Sequence, residues 1–266
     1  MHVGTGRIFR YRSRNIVLVG DQMQLGQPIQ GTHPGESGQS ALEFILGDSA
    51  TVPADRGIFL PVTRRMNPDV CRFISEAVYE GRLHAEGANA AQKLVLSAGA
   101  DLGLKATGIS WVPVVHGDCS QKSEEEAARI GKLYTSLLSQ RWTNKDGITQ
   151  AIGAADILIV SPYNMQVNLL KSVLPSGARV GTVDKFQGQE AAVVLVSMTT
   201  STAEDVSRGL EFLYSRNRLN VAISRARCLA VVVASPALLE ASCNSIEQMK
   251  LVNTLCFVKA YAQGQI

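Results

Sequence analysis

Apolar residues in the second half of the chain switch repeatedly between two spacings. Short continuous apolar runs, typical of strands buried on both faces, alternate with segments whose apolar residues recur at helical spacing. This alternation predicts an α/β fold with a mostly parallel sheet and helices on both faces. The predicted strands span residues 111–115, 156–160, 179–182, 191–198 and 228–234, and helices are predicted over residues 166–174 and 216–223.

The first part of the chain carries a weaker pattern. The β-branched run 16–19 and the apolar run 58–60 each predict a short strand. Residues 40–46 predict a short helix that begins at a capping serine. Apolar residues within 70–78 recur at helical spacing and stop before Gly81, so they predict a helix with one face in the core.

A further helix is predicted where Ser123 precedes the three glutamates 124–126. Carboxylates in a first turn stabilise the helix dipole, so we interpret this acidic run as helix chemistry rather than as a metal site. The small and polar residues 84–108 predict an irregular crossing segment, and residues 142–153 predict a polar loop. The tail, residues 236–261, predicts one or two helices.

The composition is that of a globular protein. Of 266 residues, 45% are apolar and 18% are charged, enough for one large domain or two small ones. A net charge of +3 is weak support for nucleic-acid binding, and no apolar run is long enough to span a membrane. The five cysteines show no CxxC spacing, which indicates reduced thiols in a cytoplasmic protein rather than a zinc or iron–sulfur site.

Four short segments carry the candidate chemistry, and two of them contain paired arginines, whose planar fork of donors suits phosphate oxygens. In chain order they are GDQMQL (20–25), RRMNP (64–68), GTVDKFQGQE (181–190) and LNVAISRAR (219–227). They resemble motifs III, IV, V and VI of superfamily 1 helicases. The likeness is closest to the branch with the nonsense-mediated-decay RNA helicases and the replication nuclease-helicases, and it covers most of residues 15–240.

The resemblance implies a RecA-like P-loop NTPase fold, as the second motor domain of an ATP-dependent helicase. On this basis Arg225 matches the arginine finger that reaches across the cleft between the two motor domains. Arg65 matches a second contact to the γ-phosphate, and Gln24 matches the glutamine that senses the γ-phosphate.

Other candidates follow from the same resemblance. Glu190 resembles the motif V glutamate near the ribose, and Gln187 and Gly188 belong to the same loop, where glycine lets the backbone approach a ligand. Arg227 resembles a supporting motif VI arginine, although a structural salt bridge is an equal alternative.

Three residues at predicted strand ends are candidates for nucleic-acid contacts. Ser161 and Thr182 resemble residues that touch the nucleic-acid backbone, although hydroxyls at strand ends also commonly cap. Tyr163 would stack on a base or pack inside the protein, and packing is the more frequent outcome for a tyrosine after a proline at a strand end.

Two parts of a complete motor are missing from the sequence. No GxxxxGK[ST] phosphate loop occurs, and no DExx box precedes Gly20. The sequence therefore predicts a remnant of the first RecA-like domain over 1–50 and the second RecA-like domain over 51–266. Because the strand 16–19 lacks neighbours, residues 1–50 are expected to be mobile or packed non-natively.

The expected cofactors are ATP and Mg²⁺, held mainly by the missing first domain, and no metal site is expected in this chain. The expected partners are single-stranded DNA or RNA and the missing N-terminal RecA-like domain. Family members often carry a fused nuclease, of which these residues show nothing. Two alternatives stay open: a non-catalytic nucleic-acid-binding or regulatory module, and a motor that is specific for RNA rather than DNA.

We predict that the isolated chain has no measurable ATPase activity, because it lacks the phosphate loop and the DExx box. Phosphate release from the purified chain, with and without single-stranded nucleic acid, checks this. Stimulated phosphate release that persists through extensive purification would contradict it.

Overall fold

The computed structural model describes residues 15–26, 34–47, 49–186, 188–207 and 209–265. Its contacts divide the chain into two compact units, residues 1–60 and residues 61–266. This boundary falls later than the one predicted from the sequence, between residues 50 and 51. The origin of the first unit as a remnant of another RecA-like domain stays a prediction.

The first unit contains helix α1 (Ala41–Leu46), which begins as predicted at Ser40. The Ser40 hydroxyl accepts from the Glu43 N–H at 3.2 Å, and the Glu43 carboxylate accepts from the Ser40 N–H at 2.7 Å. This reciprocal capping box satisfies two backbone donors at the helix start. In the same unit, the Gln22 side-chain amide donates to the Ser49 carbonyl at 2.9 Å.

The two strands predicted in this part of the chain are wrong. Residues 16–19 and 58–60 have no strand structure. Val17, Val19 and Ile58 are at least 85% exposed. A lone extended segment without a neighbouring strand cannot pair its backbone donors and acceptors, so its β-branched residues do not suffice to make a strand.

The larger unit contains ten strands, several of them short, and six helices in its described residues. The strands are β1 (Val62–Thr63), β2 (His84–Ala85), β3 (Lys93–Val95), β4 (Gly108–Pro113), β5 (Arg141–Thr143), β6 (Thr149–Ala151), β7 (Ile157–Val160), β8 (Arg179–Gly181), β9 (Ala191–Ser197) and β10 (Ala226–Ala234). The helices are α2 (Pro68–Val78), α3 (Glu124–Leu138), α4 (Asn164–Val173), α5 (Leu210–Leu213), α6 (Arg216–Ile223) and α7 (Ile246–Ala262).

Five of these strands form the central sheet, in the order β4-β10-β9-β7-β8. Every neighbouring pair in it is parallel. The strands β7, β9 and β10 are almost entirely buried, which agrees with their continuous apolar sequences. The predicted α/β fold with a mostly parallel sheet is confirmed.

Helices cover both faces of this sheet. Ile157 and Ile159 of β7 belong to one core cluster with the buried residues of α3 and α4. Leu158 and Val160 are also buried and, since side chains alternate along a strand, they face the other side. The edge strand β4 is contacted by the helices α2 and α7, and the central strands β9 and β10 are contacted by α6.

A three-stranded sheet in the order β3-β5-β6 corrects the sequence prediction. The segment 142–153, predicted as a polar loop, contains the antiparallel pair β5–β6, and the segment 84–108 contains β3, which pairs with β5. The Asn144 side-chain oxygen accepts from the Asp146 and Ile148 N–H groups and so closes the hairpin turn. Strands this short and polar lack the apolar alternation that predicts a strand, and their pairing depends on the turn.

The cap predicted for α3 at Ser123 is confirmed, and the structure adds a cap at Asn67. The Ser123 hydroxyl accepts from the Glu126 N–H at 3.1 Å at the start of α3. The Asn67 side chain accepts from the Asp69 N–H at 2.8 Å at the start of α2, where Pro68 occupies the first helical position.

Leu133 and Leu138 lie on the same helix and differ in burial, which makes them a matched pair. Leu133 is 0% exposed and Leu138 is 39% exposed. We predict that Leu133→Ala lowers the free energy of unfolding by about 2–5 kcal/mol through the cavity it leaves. Leu138→Ala should lower it by less than about 1 kcal/mol. Urea unfolding of both variants tests this, and equal losses would contradict the assigned core.

Candidate functional site

The segment that matches motif VI lies at the amino-terminal edge of the central sheet. Helix α6 ends at its cap, Ser224, and Arg225 leads directly into β10. Glu190 directly precedes β9, which pairs with β10. The Ala191 N–H donates to the Arg225 carbonyl at 3.1 Å, so the sheet itself fixes the start of the arginine segment.

Glu190 binds two arginines at once. Arg65 donates from Nε to Oε2 at 2.6 Å, and Arg227 donates from Nη2 and Nε to Oε1 at 2.5 and 3.1 Å. Arg65 also donates to the Ser224 carbonyl at 3.0 Å, and the Arg227 guanidinium lies 5.8 Å from the centre of the Trp142 ring. One carboxylate therefore joins the segment before α2, the start of β9 and the start of β10.

The positive charges around Glu190 affect its pKa more strongly than its burial does. Burial by itself raises the pKa of a carboxyl group, but the hydrogen bonds and positive charges of Arg227 and Arg65 bring the pKa of Glu190 below its ordinary value. The side chain is 34% exposed, so solvent screens the interaction in part. Glu190 is therefore ionised at neutral pH and holds both guanidinium groups in place.

Arg225 is buried and incompletely paired. It is 3% exposed, its Nη1 donates to the Gln189 carbonyl at 3.0 Å, and its Nε has no partner in the described part of the chain. Burial, together with the nearby charge of Arg65, lowers the pKa of Arg225 to about 10, and Asp184 opposes this shift. A buried cation with an unpaired donor is unfavourable by itself and favours an incoming anion.

Residues 182–190, here called the motif V loop, connect the two edges of the sheet. The loop leaves the carboxyl end of β8 at Thr182 and reaches the amino end of β9 at Glu190. Gly188 has a φ of 80°, which favours glycine, and a side chain there would meet no neighbouring atom within 4 Å. Gln187, predicted in the same loop, lies outside the described residues.

Of the three residues predicted to contact nucleic acid, two have buried side chains. Ser161 is 0% exposed, and its hydroxyl lies 3.0 Å from the Thr199 hydroxyl. Tyr163 is 2% exposed and packs against Phe212, with ring centres 5.5 Å apart. Thr182 is half-buried at the carboxyl end of β8. These positions follow the carboxyl ends of β7 and β8, at the opposite edge from the arginines, and their nucleic-acid roles stay predictions.

Gln24 lies in the first unit, where its side-chain amide donates to the Asp21 carboxylate at 2.8 Å. The Asp21 carboxylate also accepts from the Met23 N–H at 3.0 Å. These hydrogen bonds define a local turn after the segment 16–19, and the role of Gln24 in sensing phosphate stays a prediction.

Sequence reasoning missed a buried polar network at the carboxyl end of β9. Glu126 is 0% exposed and accepts from the Ser197 hydroxyl at 2.6 Å and the Thr199 N–H at 2.8 Å. His116 joins Glu126 to Ser201, at 3.1 and 2.7 Å. Burial raises the pKa of Glu126 despite these partners.

The signal for this network was present in the sequence. Glu126 stands four residues before Ile130 on the apolar stripe of α3, so helical spacing places it on the buried face, unlike the exposed Glu124 and Glu125. Within the described ranges, no cluster of histidine, cysteine or acidic residues is arranged to hold a metal ion. None of the described helices is long and apolar enough to cross a membrane.

Comparisons with known proteins agree with the motif assignment. A family model described as an AAA domain matches residues 49–237. The chain is 29% identical over 223 residues to DNA polymerase alpha-associated DNA helicase A of Schizosaccharomyces pombe, covering 79% of this chain and 32% of that protein. It is 28% identical over 244 residues to the regulator of nonsense transcripts 1 homolog of Neurospora crassa, covering 85% of this chain and 21% of that protein.

A third relative carries a nuclease in its name. The chain is 26% identical over 246 residues to the DNA replication ATP-dependent helicase/nuclease dna2 of Schizosaccharomyces pombe, covering 86% of this chain and 17% of that protein. The chain therefore spans about a third or less of the length of these relatives. Together the matches confirm the resemblance to superfamily 1 helicases.

Replacing Glu190 tests the double arginine contact. Because the folded-state pKa of Glu190 is lowered, its carboxylate stabilises the fold above the unfolded-state pKa, near 4.5, and this contribution is lost as the pH falls through the folded-state pKa. We predict that Glu190→Gln lowers the free energy of unfolding at neutral pH by about 1 kcal/mol. Urea unfolding at a series of pH values should show this difference shrinking below pH 4.5. A difference that does not change with pH would contradict the ion-pair assignment.

Proposed function

Because the chain belongs to the AAA-domain family of superfamily 1 helicases, we propose that it is the C-terminal motor domain of an ATP-dependent helicase. In this proposal the chain supplies the arginine finger and nucleic-acid contacts, and a first RecA-like domain supplies the phosphate loop and the acidic Mg²⁺ site. ATP binding between the two domains closes the cleft, hydrolysis reopens it, and each cycle moves the domains along a single strand.

The observation that carries this proposal is the state of Arg225. Its guanidinium is buried, keeps an unpaired Nε among the described residues, and lies near the positive charge of Arg65. These features fit a triphosphate end, whose oxygens can accept from both arginines as charge builds in the transition state. When bound, ATP supplies the phosphoryl group. The described residues contain no cluster of ligands that fits Mg²⁺.

Glu190 acts in this proposal by positioning. Its carboxylate accepts from Arg65 at 2.6 Å and so orients this arginine, the proposed second contact to the γ-phosphate. Its position directly before β9 places it beside the proposed nucleotide site. Arg227 donates two hydrogen bonds to the same carboxylate, and its guanidinium lies over the Trp142 ring. These contacts support a structural salt bridge for Arg227 rather than a direct nucleotide contact.

The opposite edge of the sheet is the proposed nucleic-acid side. Thr182 and Ser161 follow the carboxyl ends of β8 and β7, and the motif V loop runs from this edge to Glu190 at the arginine site. A rearrangement of this loop would link strand binding to ATP hydrolysis. Ser161 and Tyr163 are buried. In this proposal their side chains therefore support the backbone that contacts the nucleic acid, unless a movement of the motif V loop exposes them.

The partners and the location belong to the same proposal. The proposed partners are single-stranded DNA or RNA, the first RecA-like domain and, as in the similar nuclease-helicase, a fused nuclease. A cytoplasmic location is supported by the free state of all five cysteines. A non-catalytic nucleic-acid-binding or regulatory module is the second candidate.

Arg225→Ala in the full-length motor tests the main proposal. An arginine finger acts on charge that grows in the transition state, so its loss should lower turnover more than ATP binding. We predict a loss of at least roughly a hundredfold in ATP turnover, with partial compensation by Arg65. Arg225→Lys should rescue poorly, because a point charge does not reproduce the planar fork.

The control is Arg64→Ala, next to Arg65 in the chain. The Arg64 side chain is 83% exposed, and its distance to the Glu86 carboxylate is 3.8 Å, so near-normal turnover is expected. Melting temperatures are measured on the same proteins. If Arg225→Ala lowers the melting temperature and leaves turnover nearly unchanged, Arg225 is a structural residue and the finger assignment is wrong.

A further inference from the structure

A basic pocket lies beside the strand β8, separate from the arginine site. Its volume is about 450 Å³, and it is lined by the end of α4, the loop 175–178 and the motif V loop. Three cationic side chains line it, those of Lys171, Arg179 and Lys185. Its position between a helix end and two loops leaves it open to a ligand from solvent.

In the part of the chain that the structure describes, no acidic side chain neutralises the positive charge of this pocket. No carboxylate within the described ranges lies at ion-pair distance from Lys171, Arg179 or Lys185. Asp184, next to Lys185 in sequence, instead accepts from Arg218 at 3.3 Å. Like charges around one cavity repel each other, so an anion between them is favoured.

The lack of a side chain at Gly181 leaves room for the Lys185 side chain. A side chain at Gly181 would place its Cβ 2.7 Å from the Lys185 Cδ and 3.2 Å from the Phe186 ring. The aliphatic part of Lys185 therefore packs across the bare backbone of β8, and Lys185 lines the pocket. Packing of the stem reduces the entropy that Lys185 would lose on binding a ligand.

Gln189 connects the pocket to the arginine site. Its side-chain oxygen accepts from Arg179 Nη2 at 2.6 Å, and its carbonyl accepts from Arg225 Nη1 at 3.0 Å. An anion that competes for Arg179 Nη2 would release the Gln189 side chain. The carbonyl that holds Arg225 belongs to the same residue, so this release would alter the position of Arg225.

We propose that this pocket binds a phosphate oxyanion through Lys171, Arg179 and Lys185, and that Gln189 transmits its occupancy to Arg225. Phosphate fits because its oxygens accept charge-assisted hydrogen bonds from several donors at once. Binding is independent of the proposed helicase function, whereas an effect on ATP turnover rests on it. A nucleic-acid backbone and free pyrophosphate offer the same chemistry, so both serve as probes.

Binding is measured on the purified chain by calorimetry with inorganic pyrophosphate and by fluorescence anisotropy with a labelled single-stranded oligonucleotide. We expect at least one probe to bind and Lys185→Gln to weaken it about tenfold. If the strand is the ligand, each lost phosphate contact should also reduce the salt slope of its affinity by about 0.7. Pyrophosphate binding alone identifies a free polyphosphate ligand, and oligonucleotide binding alone identifies a strand.

The matched control is Lys145→Gln, an exposed lysine in the β5–β6 turn that does not line the pocket. It removes the same charge from the chain and should leave the affinity within about twofold of the wild type. The proposal is overturned if neither probe binds, or if Lys185→Gln and Lys145→Gln have equal effects. Neither result depends on ATP turnover, so failure here is distinct from failure of the helicase proposal.

Transmission to Arg225 is measured by nitrogen-15 NMR of its guanidinium, assigned with Arg225→Lys. The probe that binds should shift the Arg225 Nε–H resonance in the wild type. In Gln189→Ala the probe should still bind, because the three cations remain, but the Arg225 shift should fall by at least about half. An undiminished shift in Gln189→Ala would show that Gln189 is not the connection.

Discussion

The arrangement of the arginine site depends on one carboxylate. Glu190 accepts from Arg65 and Arg227, which come from segments 162 residues apart in the chain (65 to 227). The segment before α2 and the starts of β9 and β10 are thereby joined at the amino-terminal edge of the sheet. The ionisation of Glu190 therefore decides whether this contact is made. Arg225 lies beside the contact without sharing it, so its guanidinium stays available for another anion.

The parallel sheet separates the two proposed activities in space. The arginines of the proposed nucleotide site lie around the amino ends of β9 and β10, and the proposed nucleic-acid residues follow the carboxyl ends of β7 and β8. The motif V loop runs between these edges and carries candidate residues at both of its ends. Within this loop, Gln189 accepts from Arg179 through its side chain and from Arg225 through its backbone carbonyl. The loop therefore has contacts through which events at one edge, or in the basic pocket, can reach the other.

Much of the fold follows from the sequence, because the signals involved are local. Continuous apolar runs identified the buried strands, and α6 has the predicted bounds because its apolar face and its cap agree. The failures have physical causes. The run 16–19 has strand propensity but no partner, and the hairpin β5–β6 has a partner but little apolar pattern. For the candidate site, the resemblance to the helicase motifs predicted Glu190 and Arg225, but the burial of Ser161 and the pairing of Gln189 with Arg179 depend on tertiary packing.

The double contact of Glu190 also constrains how this site can change over evolutionary time. Replacing an acid that serves one cation leaves a single charge to compensate, and one further substitution can restore balance. Here a change at position 190 removes the carboxylate that Arg65 and Arg227 share, so restoring the charge balance involves both arginine positions as well. Each intermediate carries unmatched charge near Arg225. Accessible mutational paths are therefore few, and the three positions should vary together or remain as they are.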